Sequence, residues 1–394
     1  MFRVRRSPKY KTFDPPFRGA GGQNSRHIKN IFLYPISLLY GLITSIRNFL
    51  YDTGILPSVE FPFPVICVGN ITVGGTGKTP HAEYIVGLLR ENFKVATLSR
   101  GYKRKTRDFR IATASSLVQD IGDEPLQIFL KFPDALVTVD RNRVHGVYRI
   151  LEQNPETDVI ILDDGFQHRR ITPGFSILLS DYERLIIRDH MMPYGNLRES
   201  KGNMRRADII LITKTPENLS PIQRRLIAKE VDKTPSQNLY FTTFIYKPPV
   251  AVYGKSDHEV SQSVIKEGED CGIVLITGIA NPRPLKEYMQ KSYNEIIHLS
   301  FPDHHNFKDK DLDSISSAYH ELKSKNRYLI TTEKDAVRLR EFTNIAEPIK
   351  SSFFYIPVGI YFLNEDKEEF DNLIIDYVRK NCRNNRVSES QRNN

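Results

Sequence analysis

Cysteine is scarce in this chain: Cys67, Cys271 and Cys382 are the only three in 394 residues, and they lie far apart. That excludes a disulfide scaffold and a cysteine-rich zinc site, and it fits a reducing compartment. Long hydrophobic runs are also lacking. The best candidate, between Lys29 and Arg47, holds 17 uncharged residues and is diluted by Pro35, Gly41, Thr44 and Ser45. That is the bottom of the range needed to span a bilayer. A cleaved signal peptide fits badly, because no small-residue cleavage site follows and a long tail precedes it. A basic body is missing too. Net charge is +9, but residues 1–30 carry eight Lys/Arg against Asp14, which leaves about +2 for the rest. A nucleic-acid-binding core would carry its charge on the body. No internal repeat is present.

What remains is globular composition, 40% apolar and 26% charged, long enough for two or three units. Residues 1–27 are basic and rich in Pro, Gly and Ser, and read as a disordered tail. The apolar segment Ile31–Tyr51 reads as a helix. Two placements stay open. It can lie in a lipid interface, with the basic tail on anionic headgroups, or it can be buried on the protein's own core.

Residues 64–79 read Pro-Val-Ile-Cys-Val-Gly-Asn-Ile-Thr-Val-Gly-Gly-Thr-Gly-Lys-Thr. Val65–Val68 suits a buried parallel strand. The loop Thr72, Val73, Gly74, Gly75, Thr76, Gly77 is then expected to cradle phosphate with its amides. Lys78 would reach the β- and γ-phosphates, and Thr79 would offer its hydroxyl to Mg²⁺. Pro80 sits in the first helical turn, where its missing N–H costs little, and a helix over His81–Arg90 would aim its N-terminus at the anion. The strict pattern wants Gly at position 72, where this chain has Thr72. Two P-loop subclasses are unsupported. A partitioning-type ATPase would put a second Lys where Val73 stands, and the GTPase-like Thr213-Lys214-Thr215 ends in Pro216.

Asp158–Leu162 is an apolar strand that runs into Asp163 and Asp164. Carboxylates at the end of such a strand can hold Mg²⁺ opposite the P-loop Thr. Asp123 and Glu124 begin a helix over Leu126–Phe132, where capping alone accounts for them. Asp303-His304-His305 could be a metal site, a general base or a loop, although two adjacent His point different ways. Arg198-Glu199 reads as a solvated charge pair or as an Arg near transferring phosphate.

Strand candidates recur at Val95–Leu98, Ala135–Val139, Val159–Leu162, Ser176–Leu179 and Asp208–Ile212, with helices between several of them. The predicted fold class is α/β. It comprises a P-loop NTPase-like doubly wound parallel sheet, a second, smaller α/β domain and a β-ribbon linker. The expected divisions are a tail (1–27), a membrane-associating helix (28–60) and a P-loop kinase domain (61–238). A linker with a β-ribbon strand (239–271) and the smaller domain (272–347) follow. A return strand with a terminal helix (348–380) and a disordered tail (381–394) close the chain. The strand-like 353–362 is expected to pair with 239–246, and 257–270 reads as loop.

Together the motifs resemble the tetraacyldisaccharide 4'-kinase family. The stretches that carry the resemblance are Val68–Pro80, Ser99–Tyr102, Gly122–Pro125, Asp140–Arg143, Leu162–His168, the Pro-x-Gly-x-Leu-Arg-Glu pattern ending at Glu199, Gly278–Pro282, Asp303-His304 and Thr331–Asp335. They stand in family order across about residues 32–363. The resemblance implies ATP- and Mg²⁺-dependent phosphorylation of the 4'-hydroxyl of a lipid A disaccharide 1-phosphate, giving lipid IVA. It implies work at the cytoplasmic face of the inner membrane of a Gram-negative bacterium, with no nucleic acid and no obligate protein partner. Asp123 then matches the family's catalytic Asp and His304 its partner. Asp163 and Asp164 match the Walker B pair, and Thr72 looks typical. Tyr102, Glu124, Arg198 and Glu199 are expected near substrate. A small-metabolite P-loop kinase would have no need of residues 28–51. A membrane-tethered nucleotide switch would tolerate Asp123→Ala.

Overall fold

The structure is a computed structural model and describes residues 23–253 and 268–392. Most of the expected basic tail, part of the 257–270 loop and the last two residues lie outside the described residues. Helix α1 (Gln23–Asp52) comes first and starts inside the stretch read as tail. Strand β1 (Val59–Glu60) leads to β2 (Val65–Gly69), the glycine-rich loop and α2 (Lys78–Leu89). Then come β3 (Val95–Ser99), β4 (Arg110–Ile111), α3 (Val118–Ile121), α4 (Asp123–Lys131), β5 (Leu136–Val139) and α5 (Arg143–Gln153). They are followed by β6 (Val159–Asp163), β7 (Ile171–Thr172), β8 (Phe175–Asp181), β9 (Ile209–Thr213), α6 (Pro221–Val231) and β10 (Asn238–Tyr246). A smaller unit holds β11 (Val250–Ala251), β12 (Gly268–Thr277), α7 (Arg283–Met289) and β13 (Tyr293–Ser300). It continues with α8 (Asp309–Glu321), β14 (Asn326–Thr332), α9 (Glu333–Leu339) and β15 (Phe353–Ile356). The chain returns through β16 (Val358–Phe362) to α10 (Lys367–Arg392).

The large sheet has the order β16-β10-β9-β8-β2-β6-β3-β5-β4. It is parallel except at its ends, where β10/β16 and β4/β5 pair antiparallel. Strands β2, β3, β6 and β9 are buried at every position. This is why they read as unbroken apolar runs: helices cover both faces of such a sheet. One core layer joins Ile85 and Leu89 of α2 to Ile128 of α4 and to Phe370, Ile374 and Val378 of α10. The other lies under α5 and α6, around Val147, Ile150, Ile227 and Val231. β2 stands centrally between β8 and β6, so the phosphate-loop motif is flanked by Asp181 on one side and Asp163 on the other.

Four expectations about the chain's course need correction. The ribbon forms, Thr242–Tyr246 against Val358–Phe362, but β10 also pairs with β9, so it is part of the large sheet and not a linker. β15 joins the smaller sheet while β16 joins the larger one, splitting 353–362 between them. α10 packs on the large core and continues to Arg392, through most of the stretch read as tail. β12 starts at Gly268, before the expected 272.

Helix α1 resolves the two placements left open in an unexpected way. Among its described residues the buried ones are Ser37, Thr44 and Asn48, which with Gly41 form one stripe at helical spacing. Ser37 Oγ donates to the Met191 carbonyl at 2.6 Å, and Asn48 Nδ2 to Glu199 Oε2 at 3.2 Å. The apolar side chains face outward: Phe32 is 75% exposed, and Ile36, Leu39 and Ile43 are all more than half exposed. The helix therefore docks through its polar stripe and leaves its apolar face bare. Among the described residues no helix is long and apolar enough to cross a membrane.

Candidate active site

The loop after β2 is held by its own backbone and by its neighbours. Gly74 (φ 101°) and Gly77 (φ 88°) take left-handed backbone that a side chain would strain. At Gly77 an added Cβ would also stand 2.5 Å from the Phe244 ring. Asn70 Nδ2 donates to Thr76 Oγ1 at 2.8 Å, and Thr213 Oγ1 donates to the Thr76 carbonyl at 2.9 Å. Val73 N donates to the Asn196 carbonyl and Arg198 N to the Ile71 carbonyl, each at 2.8 Å. His81 spans Gly77 O at 2.7 Å and Thr242 Oγ1 at 3.0 Å. Burial pushes its pKa down to about 4, so the neutral ring donates from Nδ1 to the carbonyl and accepts at Nε2. Lys214 Nζ donates to the Gly75 carbonyl and, at 2.7 Å, to Asp181 Oδ2. The lysine of the GTPase-like Thr213-Lys214-Thr215 stretch is thus a strut of this loop.

Asp163 ends β6 opposite Val68 of β2, and Lys78 Nζ lies 3.6 Å from Asp164 Oδ1. Burial, then the charge of Asp164, pushes the Asp163 pKa up to about 6, against the pull of Lys78 and Arg143. Asp163 Oδ1 is buried with no hydrogen-bond partner. An orphaned carboxylate oxygen beside a phosphate loop, with Asp164 and the Thr79 hydroxyl at hand, is a donor set that suits a hard divalent cation.

Asp123 and His304, 181 residues apart, meet between the two units. Asp123 opens α4 and is fully buried. Its Oδ2 accepts from His304 Nδ1 at 2.8 Å and from Arg338 Nη2 at 3.0 Å, with Lys334 Nζ at 3.8 Å. Burial alone would raise its pKa. The His304 hydrogen bond, the adjacent Glu124 and the two cations more than reverse this and hold Asp123 below the usual carboxylate range. Glu124 moves the opposite way, pushed up by burial and by the charge of Asp123. Two neighbouring carboxyls driven apart in this manner are an arrangement that acid–base chemistry can use. Asp123 is thus no helix cap: its Oδ2 is bonded to the other unit, and its buried Oδ1 has no partner.

His304 is oriented on every side. Its backbone is left-handed (φ 57°), and its N–H donates to the Gly278 carbonyl at 3.1 Å. Arg338 Nη1 donates to the carbonyls of His304 and His305 at 3.0 and 2.8 Å. Nε2 lies 3.0 Å from Lys334 Nζ, which can only donate, so the ring proton sits on Nδ1 and points at Asp123. Lys334 and Arg338 stand one turn apart on α9, which Thr332 caps by accepting from Asp335 N at 3.1 Å. His305 points away, to Asp311 Oδ2 at 2.9 Å. The ligand atoms of Asp123, Glu124 and His304 would fit around a metal ion, but Lys334 and Arg338 already supply positive charge there.

A second buried cluster ties three helices together behind this centre. Lys131 Nζ of α4 bonds Glu83 Oε2 of α2 at 2.6 Å and Glu333 Oε1 of α9 at 3.0 Å. Gln127 Nε2 donates to Glu83 Oε1 at 2.7 Å. The phosphate-loop helix, the Asp123 helix and the Lys334 helix therefore share one cation.

The residues expected near substrate are dispersed. The Tyr102 ring lies 5.0 Å from that of His304 and is exposed, so it fits. Arg198 Nη1 donates to Gln167 Oε1 at 3.3 Å, beside the loop. Glu199 does not pair with Arg198; it is buried against Arg206 Nη2 at 2.5 Å and Asn48 of α1, committed to holding those elements. A cationic wall that the sequence reading gave no role stands near Asp163 and Asp164. It contains buried Arg143, and His168, whose pKa burial and the charges of Arg143, Arg170, Arg100 and Arg47 push down to about 4. Lys334 and Arg338 were likewise missed, although Thr331–Asp335 stood out as a motif.

The chain matches the family described as tetraacyldisaccharide-1-P 4'-kinase (LpxK) over residues 29–379. A tetraacyldisaccharide 4'-kinase of Bacteroides thetaiotaomicron is 42% identical over 365 residues, 91% of this chain and 96% of that one. One of Flavobacterium johnsoniae is 45% identical over 349 residues, 89% and 97% of the two chains. A crystal structure of an "apo" form of LpxK from Aquifex aeolicus in complex with ATP superposes with TM-score 0.67. It is 26% identical and covers 89% of this chain and 99% of its own.

Proposed function

This chain belongs to the tetraacyldisaccharide-1-P 4'-kinase family, and on that premise we infer how its residues carry out the transfer. The reaction moves the γ-phosphoryl group of ATP to the 4'-hydroxyl of a tetraacyldisaccharide 1-phosphate. The glycine-rich loop and Lys78 hold the triphosphate. Thr79, Asp163 and Asp164 would hold Mg²⁺, which when bound would neutralise charge on the phosphates. Asp123 accepts the proton of the attacking hydroxyl, and His304 keeps the carboxylate ionised and aimed. Lys334 and Arg338 offset its charge.

The observation that carries this reading is the joining of Asp123 to His304, Lys334 and Arg338 across two units. The geometry agrees. Gly122 packs on Gly101 and Tyr102, just past β3, and β3 is separated from β2 by β6 alone. Two strand spacings are roughly 10 Å, enough for a γ-phosphoryl group and a sugar hydroxyl between loop and base. The outward apolar face of α1 supports membrane-surface binding, where an acylated substrate would reside. The test is a double-mutant cycle in a transfer assay. Asp123→Ala should lower kcat by about 10²–10⁴-fold with little change in ATP affinity. His304→Ala should also lower it, and the double variant should lose much less than the product of the two. Independent, multiplicative losses would sink the dyad.

A further inference from the structure

We propose that Arg184 is an arginine finger supplied in cis, whose guanidinium contacts the γ-phosphoryl group during transfer. The proposal deepens the reading above and rests on its ATP site. Arg184 lies in the turn just past β8, the strand beside β2, so it is delivered to the flank of the phosphate loop. Its guanidinium lies against Gly74. A Cβ built there would stand 3.2 Å from Nη2 and 3.5 Å from Nη1. The position admits glycine alone, because its φ of 101° is left-handed and a side chain would displace the arginine.

Two facts separate this residue from an ordinary surface arginine. Its Cα is pinned: the next residues, Leu185 and Ile186, are buried, and Ile186 N donates to Ser180 Oγ at 3.1 Å. Its charge is nearly uncommitted. The ion pair with Asp181 is long, 3.9 Å, and that carboxylate already accepts from Lys214 at 2.7 Å. With its side chain 46% exposed, the guanidinium can swing from Gly74 onto a phosphate. Lys214, by contrast, is held on the Gly75 carbonyl and cannot serve.

In the transfer, the 4'-oxygen bonds to the γ-phosphorus, and the bond to the β–γ bridging oxygen breaks to give ADP. The hydroxyl proton goes to Asp123. Charge spreads over the γ-oxygens as the bond breaks, and a planar guanidinium can meet two of them at once, which a lysine cannot.

The experiment measures transfer and nucleotide binding for the full chain, Arg184→Ala, Arg184→Lys and Lys78→Ala. Arg184→Ala should lower kcat by about 10²–10³-fold, at or below the usual worth of an arginine finger. Its ATP affinity should stay within about threefold. Arg184→Lys should recover less than about a tenth of the lost rate, and binding of ADP with aluminium fluoride, a mimic of the transferring group, should weaken in both Arg184 variants. If Lys78→Ala is inactive while Arg184→Ala keeps kcat within about fivefold of wild type, the proposal falls and the ATP site stands. A raised ATP KM at unchanged kcat would also overturn it, since the arginine would then bind ground-state nucleotide only. Full activity of Lys78→Ala would instead overturn the ATP site itself.

Discussion

Replacing Lys131 by Met removes the single cation shared by Glu83 and Glu333 and leaves two buried carboxyls facing each other. Losing one partner of a buried ionic cluster costs about 3–5 kcal/mol. The loss should depend on pH in a defined direction. In the native protein burial, then the charge of Glu333, pushes the Glu83 pKa up to about 7 from an ordinary 4.5, with Lys131 and Gln127 pulling it back. A carboxyl whose folded pKa is raised stabilises the fold fully below its unfolded pKa, and that contribution is lost as pH rises through the folded value. Without Lys131 the Glu83 pKa rises further, so the penalty window extends above pH 7. The variant should therefore lie about 3–5 kcal/mol below wild type at pH 8. Near pH 5, where Glu83 is protonated, the gap should close to roughly 1 kcal/mol, the worth of the lost hydrogen bonds. Urea unfolding followed by circular dichroism at the two pH values reads this as a midpoint shift of roughly 1 M at pH 8 and much less at pH 5. Because Lys131 shares α4 with Asp123 and Glu333 adjoins Lys334, kcat at pH 8 should fall as well. A loss of stability equal at both pH values, or none at pH 8, would show that the three charges are solvated and that the helices are tied by packing alone.

Other outcomes follow from the same geometry. Lys78→Ala should abolish transfer, since the γ-phosphate loses its main cation; near-wild-type turnover would remove the phosphate-loop assignment. Thr79→Ala and Asp163→Ala should each shift the Mg²⁺ titration of activity to higher concentration, and curves that overlay wild type would put the ion elsewhere. Leu39→Gln with Ile43→Gln, both on the outward face of α1, should weaken flotation with anionic vesicles at least tenfold, since burying one such side chain is worth about 1.5–3 kcal/mol. ATP affinity should be untouched. Unchanged flotation would show that the membrane contact lies elsewhere. Deleting the helix is a poorer test, because it docks on 191–199, the segment that pins the phosphate loop.

The phosphate loop was legible because every part of it is local: strand, glycines, Lys78 and Thr79 stand at fixed spacing in one stretch of chain. Asp163 was legible for the same reason, as the end of an apolar strand. Asp123 and His304 were not. On local grounds the first is a cap and the second fits a metal site, a general base or a loop equally, and only the family resemblance joined them. Arg338 and Lys131 gave no signal, because their partners come from other units and helices, and such pairing leaves no period in the sequence. Arg184 was hidden because its meaning lies in the β8–β2 neighbourhood, which only the strand order creates. The apolar run of α1 was visible, but not which face would dock. The stripe Ser37-Gly41-Thr44-Asn48 carried that information at helical spacing and was masked by the more conspicuous apolar residues.

The most direct test of the central claim is transfer of labelled γ-phosphate from ATP to a tetraacyldisaccharide 1-phosphate in detergent, beside the same glycolipid with hydrogen in place of the 4'-hydroxyl. We predict Mg²⁺-dependent labelling of the first, with the new phosphate at the 4' position by mass fragmentation, and none of the second. Equal labelling of both acceptors, or labelling of neither while ATP is hydrolysed, would contradict it.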